Sequence, residues 1–514
     1  MIGSLFLSIF GAVLLSLAFP PWGLDFLAWS AFIPLLVAME REKVISKAAI
    51  CGFSFGFVFF VIDLRWIIET MVTYGKFTTA IATLVFISMV ATLSVLPGIF
   101  SLLSFFLVKQ GFDIFWVAPI IWTALEYFRT YIFTGFPWDC VGYSQAHRLT
   151  LIQMCDITGV YGLSFLILLG NVSALSLLKV FMFKRPRYLI HAFTGLVCAA
   201  IALTYGGITL GNYSKAADKI EETVAAGILQ GDIPQDVKWD PSSKSQTLTR
   251  YESLAQDALK RGANLVIWPE TSVPVVIGGS DITWKYATNI SRTLDIPMLI
   301  GAPFETHVGT KVIFFNSAFL VEDGKLTQRY DKIHLVPFGE YMPLSWIIPI
   351  GPGLAAREED YSPGSHLTLM KPKGFPPFSV LICYEAIFPE LAQSAVKSGA
   401  KALVNITNDG WFGNSAAPYQ HLAMAGFRAV ENRVWLIRAA NTGISAVFDP
   451  TGRLVASLPL MEQGALVCRL PKMPEAGSFY TRNGDIFAWI TIALLVTMVL
   501  LNLRYVVPRF KRRT

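Results

Sequence analysis

Long apolar stretches crowd both ends of the chain, and between them lies a block of shorter segments that alternate in character. With about 20 residues needed to cross a bilayer, the runs Ile2–Phe19, Leu24–Met39, Ala48–Ile68, Thr78–Val108, Ile114–Ile132, Ile157–Met182, Tyr188–Leu210 and Ile486–Val507 predict about eight spans. The first run has no basic flank and leads into Phe19-Pro20-Pro21-Trp22, so it is expected to stay as a helix rather than be cleaved as a signal peptide. The fourth is long enough to break at Pro97. Two spans there would upset the alternation of the loops that follow.

Orientation follows from the loops. Arg41, Lys43 and Lys47 follow the second run, Lys109 the fourth, Lys184, Arg185 and Arg187 the sixth, and Arg509, Lys511, Arg512 and Arg513 the last. Basic residues mark the cytoplasmic side, so both termini are expected there and residues 214–484 on the opposite face of the membrane. Asp63, Arg65 and Glu126 fall within or beside apolar runs. Charges in such places either face a bundle interior or wet cavity, or lie at span ends in structural pairs.

From Thr223 the pattern shortens. Thr223–Gln230, Asn264–Trp268, Met298–Gly301, Val312–Val321, Ser379–Cys383, Ala402–Ile406, Val434–Ala439, Ile444–Phe448 and Ala465–Arg469 predict strands. Ser245–Arg261, Thr283–Leu294, Pro389–Ser398 and Pro418–Asn432 predict helices. Such alternation describes a layered α/β domain. The resulting division is 1–213 for a membrane bundle of seven spans, 214–484 for an extramembrane catalytic domain, and 485–514 for a final span with a basic tail. One apolar stretch, Leu344–Ala356, is broken by Pro and Gly inside this domain. It reads either as core or as a mobile arm that dips into a lipid surface.

Composition adds weight to this division. Hydrophobic residues make up 54% of 514 and charged residues only 15%, which excludes a disordered chain and a single soluble core. The net charge of +6 gathers in the apolar ends as an orientation signal. No basic face for a nucleic acid is left on the middle block.

The chemistry narrows by elimination. The chain has no phosphate-binding glycine loop ending in Lys-Ser/Thr, no His-Glu-x-x-His, no Cys-x-x-Cys and no Gly-x-Ser-x-Gly elbow, and its six histidines are scattered. Neither a metal nor a cofactor is expected. Cys51, Cys155 and Cys198 fall in or beside apolar helices, where cysteine is commonly a small packing residue. Cys383 differs, because it ends a strand and precedes a Pro389-initiated helix, a position that α/β enzymes use for working groups. Glu270 follows the strand Asn264–Trp268 through Pro269, and Lys332 and Glu340 follow Tyr330-Asp331. A carboxylate, an ammonium and a thiol at strand ends supply a base, an oxyanion partner and a nucleophile. His334 and His421 offer a Cys-His alternative, since His334 lies two residues beyond Lys332 and would share its face in a strand.

Together these segments carry a resemblance. Trp268-Pro269-Glu270, Tyr330-Asp331-Lys332, Cys383-Tyr384-Glu385 and Asn405–Phe412 resemble the carbon-nitrogen hydrolase, or nitrilase, superfamily with its Glu-Lys-Cys triad. Phe136-Pro137-Trp138, Gly142–Gln145, Gly159–Phe165, Gln230–Gln235 and Lys238-Trp239, with the multi-span frame, are similar to the apolipoprotein N-acyltransferase family of bacterial inner membranes. The resemblance implies a four-layer αββα sandwich on a transmembrane bundle. It also implies transfer of an acyl chain from a phospholipid, typically phosphatidylethanolamine, to the N-terminal diacylglyceryl-cysteine of apolipoproteins. By motif match Glu270 is the general base, Lys332 the electrostatic partner and Cys383 the nucleophile, with Trp239, Glu340, Tyr384 and Glu385 in support. The nearest rival function is a membrane-anchored amidase or nitrilase acting on a small substrate; another is a transporter or scaffold whose outer domain only binds.

Overall fold

The computed structural model describes residues 1–184, 186–217, 219–240, 242–278, 282–342, 360–471 and 476–510. The apolar stretch Leu344–Ala356 lies outside the described residues. The chain divides into two compact units: Met1–Ile68, Thr79–Thr209 and Asn483–Thr514 form one, and Glu69–Thr78 with Leu210–Arg482 form the other.

The first unit is helical. Its helices are α1 (Ile2–Leu17), α2 (Phe32–Arg41) and α3 (Ile45–Asp63), then, after α4 (Trp66–Thr73), α5 (Thr79–Lys109), α6 (Ile114–Tyr131), α7 (Leu149–Ile152), α8 (Cys155–Phe183) and α9 (Leu189–Ala217). Four described helices are long and apolar enough to cross a membrane: Ile45–Asp63, Thr79–Lys109, Cys155–Met182 and Leu189–Ala217. The expected span Leu24–Met39 is broken by a 3-10 turn at Asp25–Trp29, which leaves α2 with 10 residues. At about 1.5 Å per residue that helix is too short to cross alone. Pro97, in contrast, does not split α5, which runs unbroken for 31 residues.

Small residues bring α3 and α5 together. A Cβ placed on Gly52 would stand 2.1 Å from the Pro97 carbonyl oxygen, so only glycine allows the two backbones to approach this closely. Of the charges noted in the apolar runs, Asp63 and Glu126 are buried and Arg65 is exposed. Glu126 accepts hydrogen bonds from Trp122 Nε1 at 2.9 Å and from the Val141 backbone at 2.7 Å, which ties the loop after α6 into the bundle.

The second unit holds two six-stranded sheets. Its strands are β1 (Thr223–Gln230), β2 (Leu265–Ile267), β3 (Met298–Val308), β4 (Lys311–Glu322), β5 (Lys325–Asp331), β6 (Leu369–Met370), β7 (Phe378–Ile382), β8 (Ala402–Thr407), β9 (Trp435–Ala440), β10 (Ser445–Phe448), β11 (Leu454–Leu458) and β12 (Gly464–Pro471). One sheet runs β12-β1-β2-β3-β4-β5 and the other β11-β10-β9-β8-β7-β6. β1, β2 and β3 are parallel, as are β7, β8 and β9, and antiparallel strands extend both sheets.

Helices link the parallel strands: α10 (Lys244–Lys260), α11 (Ile282–Leu294), α12 (Pro389–Lys397) and α13 (Ala417–Asn432). After β12 come α14 (Phe479–Asn483) and, in the first unit, α15 (Ile486–Phe510). Period-two alternation explains the layering. Val224, Ala226 and Ile228 of β1 share one core with Val380 and Ile382 of β7 and Val404 and Ile406 of β8, between the sheets. Val266 and Trp268 turn outward onto α10 and α11. Leu381, Leu403 and Leu436 turn onto α12 and α13. The result is an αββα sandwich, the fold class expected from the resemblance.

Within this unit the short segment Glu69–Thr78 packs on the turn after β8. Thr70 Oγ1 donates to the Trp411 carbonyl at 2.9 Å, and the Tyr74 ring meets the Trp411 ring edge-on at 5.4 Å.

Candidate active site

The singled-out residues stand where strands end. Glu270 lies three residues past β2, Lys332 directly follows β5, and Cys383 directly follows β7, so both sheets contribute. All three are buried. Cys383 opens a 3-10 turn, Cys383–Ile387, with φ +52°, a left-handed conformation that costs a non-glycine residue about 1–3 kcal/mol. Thr271, next to Glu270, is held at φ +51°. Strain of this kind persists where surrounding contacts overdetermine the backbone, and here they do.

Gly301 on β3 provides one such contact, because a Cβ there would lie 2.4 Å from the Pro269 carbonyl oxygen and 2.8 Å from Glu270 Cα. The Cys383 turn is fixed by Glu385. That carboxylate accepts from Ile382 N at 2.7 Å within its own turn, and from Tyr330 Oη at 2.8 Å, Ile333 N at 2.7 Å and His334 N at 3.1 Å on the Lys332 segment. One side chain thereby braces the two halves of the site. Burial pushes its pKa up to about 7, against the pull of the Ile382 N–H and the Lys332 charge.

Lys332 Nζ forms ion pairs with Glu340 Oε2 at 2.8 Å and Glu270 Oε1 at 3.9 Å. Burial opposes its charge, but the Glu340 and Glu270 carboxylates more than offset that and raise its pKa. Asn316 on β4 joins the two acids: its Nδ2 donates to Glu270 Oε1 and to Glu340 Oε1, each at 2.7 Å. Glu340 also accepts from Val336 N at 2.8 Å. Glu270 Oε2 is buried with no hydrogen-bond partner among the described residues, which leaves an acceptor open for a proton.

Burial raises the Glu270 pKa, with Glu340 adding to it and Lys332, Asn316 and Lys238 opposing. Burial likewise pushes the Cys383 thiol up to about 12, with Glu270 adding and Lys332 opposing. The resting thiol is therefore protonated. Beside it is a carboxylate made more basic than usual, the pairing that proton transfer during attack requires.

The remaining expectations divide. Tyr384, next to Cys383 in the chain, is buried, its ring edge-on to Phe388 at 5.1 Å. Trp239 is 40% exposed, whereas its neighbour Lys238 is buried in the site, with Nζ donating to the Glu270 carbonyl at 3.3 Å. His334 does not share a strand face with Lys332, since β5 ends at Asp331; its ring stacks on Phe388 with centroids 3.7 Å apart. His421 turns Nε2 to the backbone carbonyl of Cys383, at 3.1 Å. His421 Nδ1 also lies 3.1 Å from Asp409 Oδ1, so His334 is engaged in packing and His421 in contacts to Asp409 and the Cys383 backbone.

Sequence reasoning missed Asn316, and of a buried network beneath Cys383 it had Asn405 and Asp409 only as motif positions, as it had Lys238, without a role. There Arg438 pairs with Asp409 at 2.6 Å and donates to Asn405 Oδ1, while Asn405 Nδ2 donates to the Leu381 carbonyl at 2.8 Å. The signal for Lys238 was its place beside a motif tryptophan. Asn316 and Arg438 lie inside strands and carried none.

Residues 225–472 match the carbon-nitrogen hydrolase family, and with the αββα sandwich this defines the second unit as a domain of that class. Residues 11–173 match the apolipoprotein N-acyltransferase N-terminal domain. The apolipoprotein N-acyltransferase of Geobacter metallireducens is 39% identical over 494 residues, 95% of this chain and 93% of that protein. That of Rhodopseudomonas palustris is 32% identical over 97% of this chain and 95% of that protein. The chain belongs to the apolipoprotein N-acyltransferase family. Among solved structures, Saccharomyces cerevisiae Nit3, a member of branch 10 of the nitrilase superfamily, is similar at 22% identity and TM-score 0.38, covering 50% of this chain and 92% of its own.

Proposed function

We propose that this acyltransferase moves an acyl chain from a phospholipid, phosphatidylethanolamine being the expected donor, onto the α-amino group of a diacylglyceryl-cysteine at the start of an apolipoprotein. The observation that carries the reading is the gathering of Glu270, Lys332 and Cys383 in one buried cluster of a chain from this family.

In the first half-reaction Glu270 takes the thiol proton and Cys383 Sγ attacks the ester carbonyl. Lys332, with the Tyr384 backbone N–H in the first turn after the nucleophile, stabilises the oxyanion. The carbon–oxygen bond breaks, Glu270 returns the proton to the departing lysophospholipid oxygen, and a Cys383 thioester remains. In the second half the neutral amine attacks the thioester and Glu270 accepts its proton. The carbon–sulfur bond breaks, and the proton passes back to the Cys383 thiolate. Atoms and charge balance without a nucleotide, because a thioester is a better acyl donor than an amide.

Glu340 and Asn316 hold Lys332 and Glu270 in register, and Glu385 positions the nucleophile turn. The basic loops support cytoplasmic termini and a periplasmic catalytic unit in a bacterial inner membrane.

The test is intact mass of the full chain after incubation with a defined phosphatidylethanolamine, then with a diacylated peptide. The expected result is a gain of one acyl group that the peptide removes, and no gain in Cys383→Ala. Release of free fatty acid as fast as peptide acylation would instead support a lipid hydrolase.

A further inference from the structure

A second ammonium is buried beside the Glu270, Lys332 and Cys383 cluster. Lys238 is 2% exposed and sits on the loop after β1. Asn441 and Asn408 pin that loop: Asp232 N donates to the Asn441 carbonyl at 2.9 Å, Asn441 Nδ2 to the Ile233 carbonyl at 2.7 Å, and Asn408 Nδ2 to Gln235 Oε1 at 2.7 Å. A turn closed by Lys238 N on the Pro234 carbonyl at 3.1 Å then directs the side chain to the Glu270 carbonyl.

Among the described residues Lys238 makes no ion pair. A buried ammonium held only by a carbonyl is costly, and such a charge is retained where something nearby needs it. The charge count identifies the need. Glu270 and Glu340 carry two negative charges, and Lys332 supplies a single positive one. The cluster is therefore one charge negative before the reaction begins, and thiolate and oxyanion both add to that. Lys238 offsets the excess charge of these three groups, and both Glu270 and Cys383 bear electrostatically on its ammonium.

We propose that Lys238 is a second cation of the reaction centre, balancing Glu270 and Glu340 together with Lys332 and stabilising the negative charge that appears on Cys383 Sγ and on the acyl carbonyl oxygen. The proposal rests on the acyl-transfer reading above. Lys238 transfers no proton and stays an ammonium throughout.

The titratable groups around the site are Glu270 after β2, Lys332 and Glu340 after β5, Cys383 and Glu385 after β7, and Asp409 with Arg438 and His421 beneath the nucleophile. Glu385 titrates at about 7 and stays in place in every variant below, so comparison of their profiles with the parent isolates Lys238. Burial lowers its pKa to about 8, with Glu270 and Cys383 opposing. It is charged below that value and loses its charge above it, so the acylation rate is expected to decline as pH rises through about 8.

The experiment follows formation of the acyl adduct by intact mass in the full chain with phosphatidylethanolamine, across pH 6–10, in Lys238→Gln and Lys238→Arg. Gln keeps an N–H donor for the Glu270 carbonyl but removes the charge. Arg keeps the charge and titrates far higher. The expectation is a loss of about 10²–10³-fold in Lys238→Gln, the scale for removing one oxyanion stabiliser. Lys238→Arg should stay within about tenfold of the parent and lose the alkaline decline. A Lys238→Gln rate equal to the parent overturns the proposal, as does a Lys238→Arg profile whose alkaline decline coincides with the parent's. If Lys238→Gln does not fold, the Arg profile decides alone. A parent protein that forms no adduct at any pH overturns the acyl-transfer reading instead.

Discussion

Asn316 bridges the two acids of the site, and its replacement by leucine should change the acid limb of catalysis more than any other property. The Nδ2 group lies 2.7 Å from Glu270 Oε1 and 2.7 Å from Glu340 Oε1, so leucine, with the same branching but no polar atoms, removes two hydrogen bonds to charged acceptors. Each such bond contributes about 1.5–3 kcal/mol. The one to Glu270 favours only its ionised form, and about 1.4 kcal/mol corresponds to one pKa unit. The Glu270 pKa, already raised by burial, should therefore rise by a further one to two units, roughly.

A base with a higher pKa is protonated over more of the pH range. The acid limb of acyl-enzyme formation should thus move up by about one to two units, with about tenfold less adduct per unit on the limb itself. Stability carries the same sign: a carboxyl whose folded pKa exceeds its unfolded value costs stability as pH rises through that interval. Asn316→Leu should therefore be destabilised more at pH 8 than at pH 5. Adduct formation followed by intact mass from pH 4.5 to 8.5, with thermal unfolding at the two ends, measures both effects. An acid limb that stays in place or moves down, with equal destabilisation at both pH values, would refute the assignment of Asn316 as the group that holds Glu270 in its charged form.

Further expectations follow from neighbouring contacts. Gly301→Ala places a methyl 2.4 Å from the Pro269 carbonyl oxygen, so it should cost about 1–3 kcal/mol in unfolding and slow adduct formation by more than about tenfold through displacement of Glu270. Asp409→Asn leaves Arg438 buried without its carboxylate and should cost about 3–5 kcal/mol at pH 7, read by thermal or denaturant unfolding. Burial opposes ionisation of Asp409, but Arg438 and His421 outweigh it and depress its pKa. Its contribution is therefore present above about pH 4 and lost as pH falls toward the folded value, so parent and Asp409→Asn should converge in strong acid. Gly52→Leu drives a side chain into the Pro97 carbonyl and Ser101, and should lower the thermal midpoint of the first unit in detergent without altering the site chemistry.

Much of this arrangement was legible because apolar periodicity marks buried elements directly. β1 spans the same residues as the expected Thr223–Gln230; the helices Ile282–Leu294, Pro389–Lys397 and Ala417–Asn432 differ from expectation by a residue at one end, and Lys244–Lys260 by a residue at each end. Strands β5, β6 and β11 went unread. β5 and β11 are half exposed, and the Lys-Leu-Thr-Gln-Arg-Tyr-Asp of β5 carries no apolar alternation; β6 has only two residues. The span at Leu24–Met39 failed for a different reason, since hydropathy sums over a window and does not register a local 3-10 turn.

At the site, Glu270 and Cys383 stood out because each follows an expected strand, and Lys332 because it closes the Tyr330-Asp331-Lys332 motif. Asn316 and Arg438 lie within strands, where a polar residue looks like any outward-facing position until the fold shows that it points inward. Lys238 illustrates the limit from the other side: the adjoining Trp239 drew attention, and the lysine is the buried one.

The packing of Glu69–Thr78 on Trp411 bears on biogenesis. The chain passes between the two units at Ile68/Glu69, Thr78/Thr79, Thr209/Leu210 and Arg482/Asn483, so the second unit is not one continuous stretch of sequence. Thr70 leaves the ribosome 341 residues ahead of its partner Trp411. Its segment must therefore wait until most of Leu210–Arg482 has been synthesised. Closing that contact is a late and non-local step, the kind that slows folding. A soluble fragment cut as residues 210–482 would lack the strand of chain that covers Trp411, and its folding should improve when a Glu69–Thr78 peptide is supplied in trans.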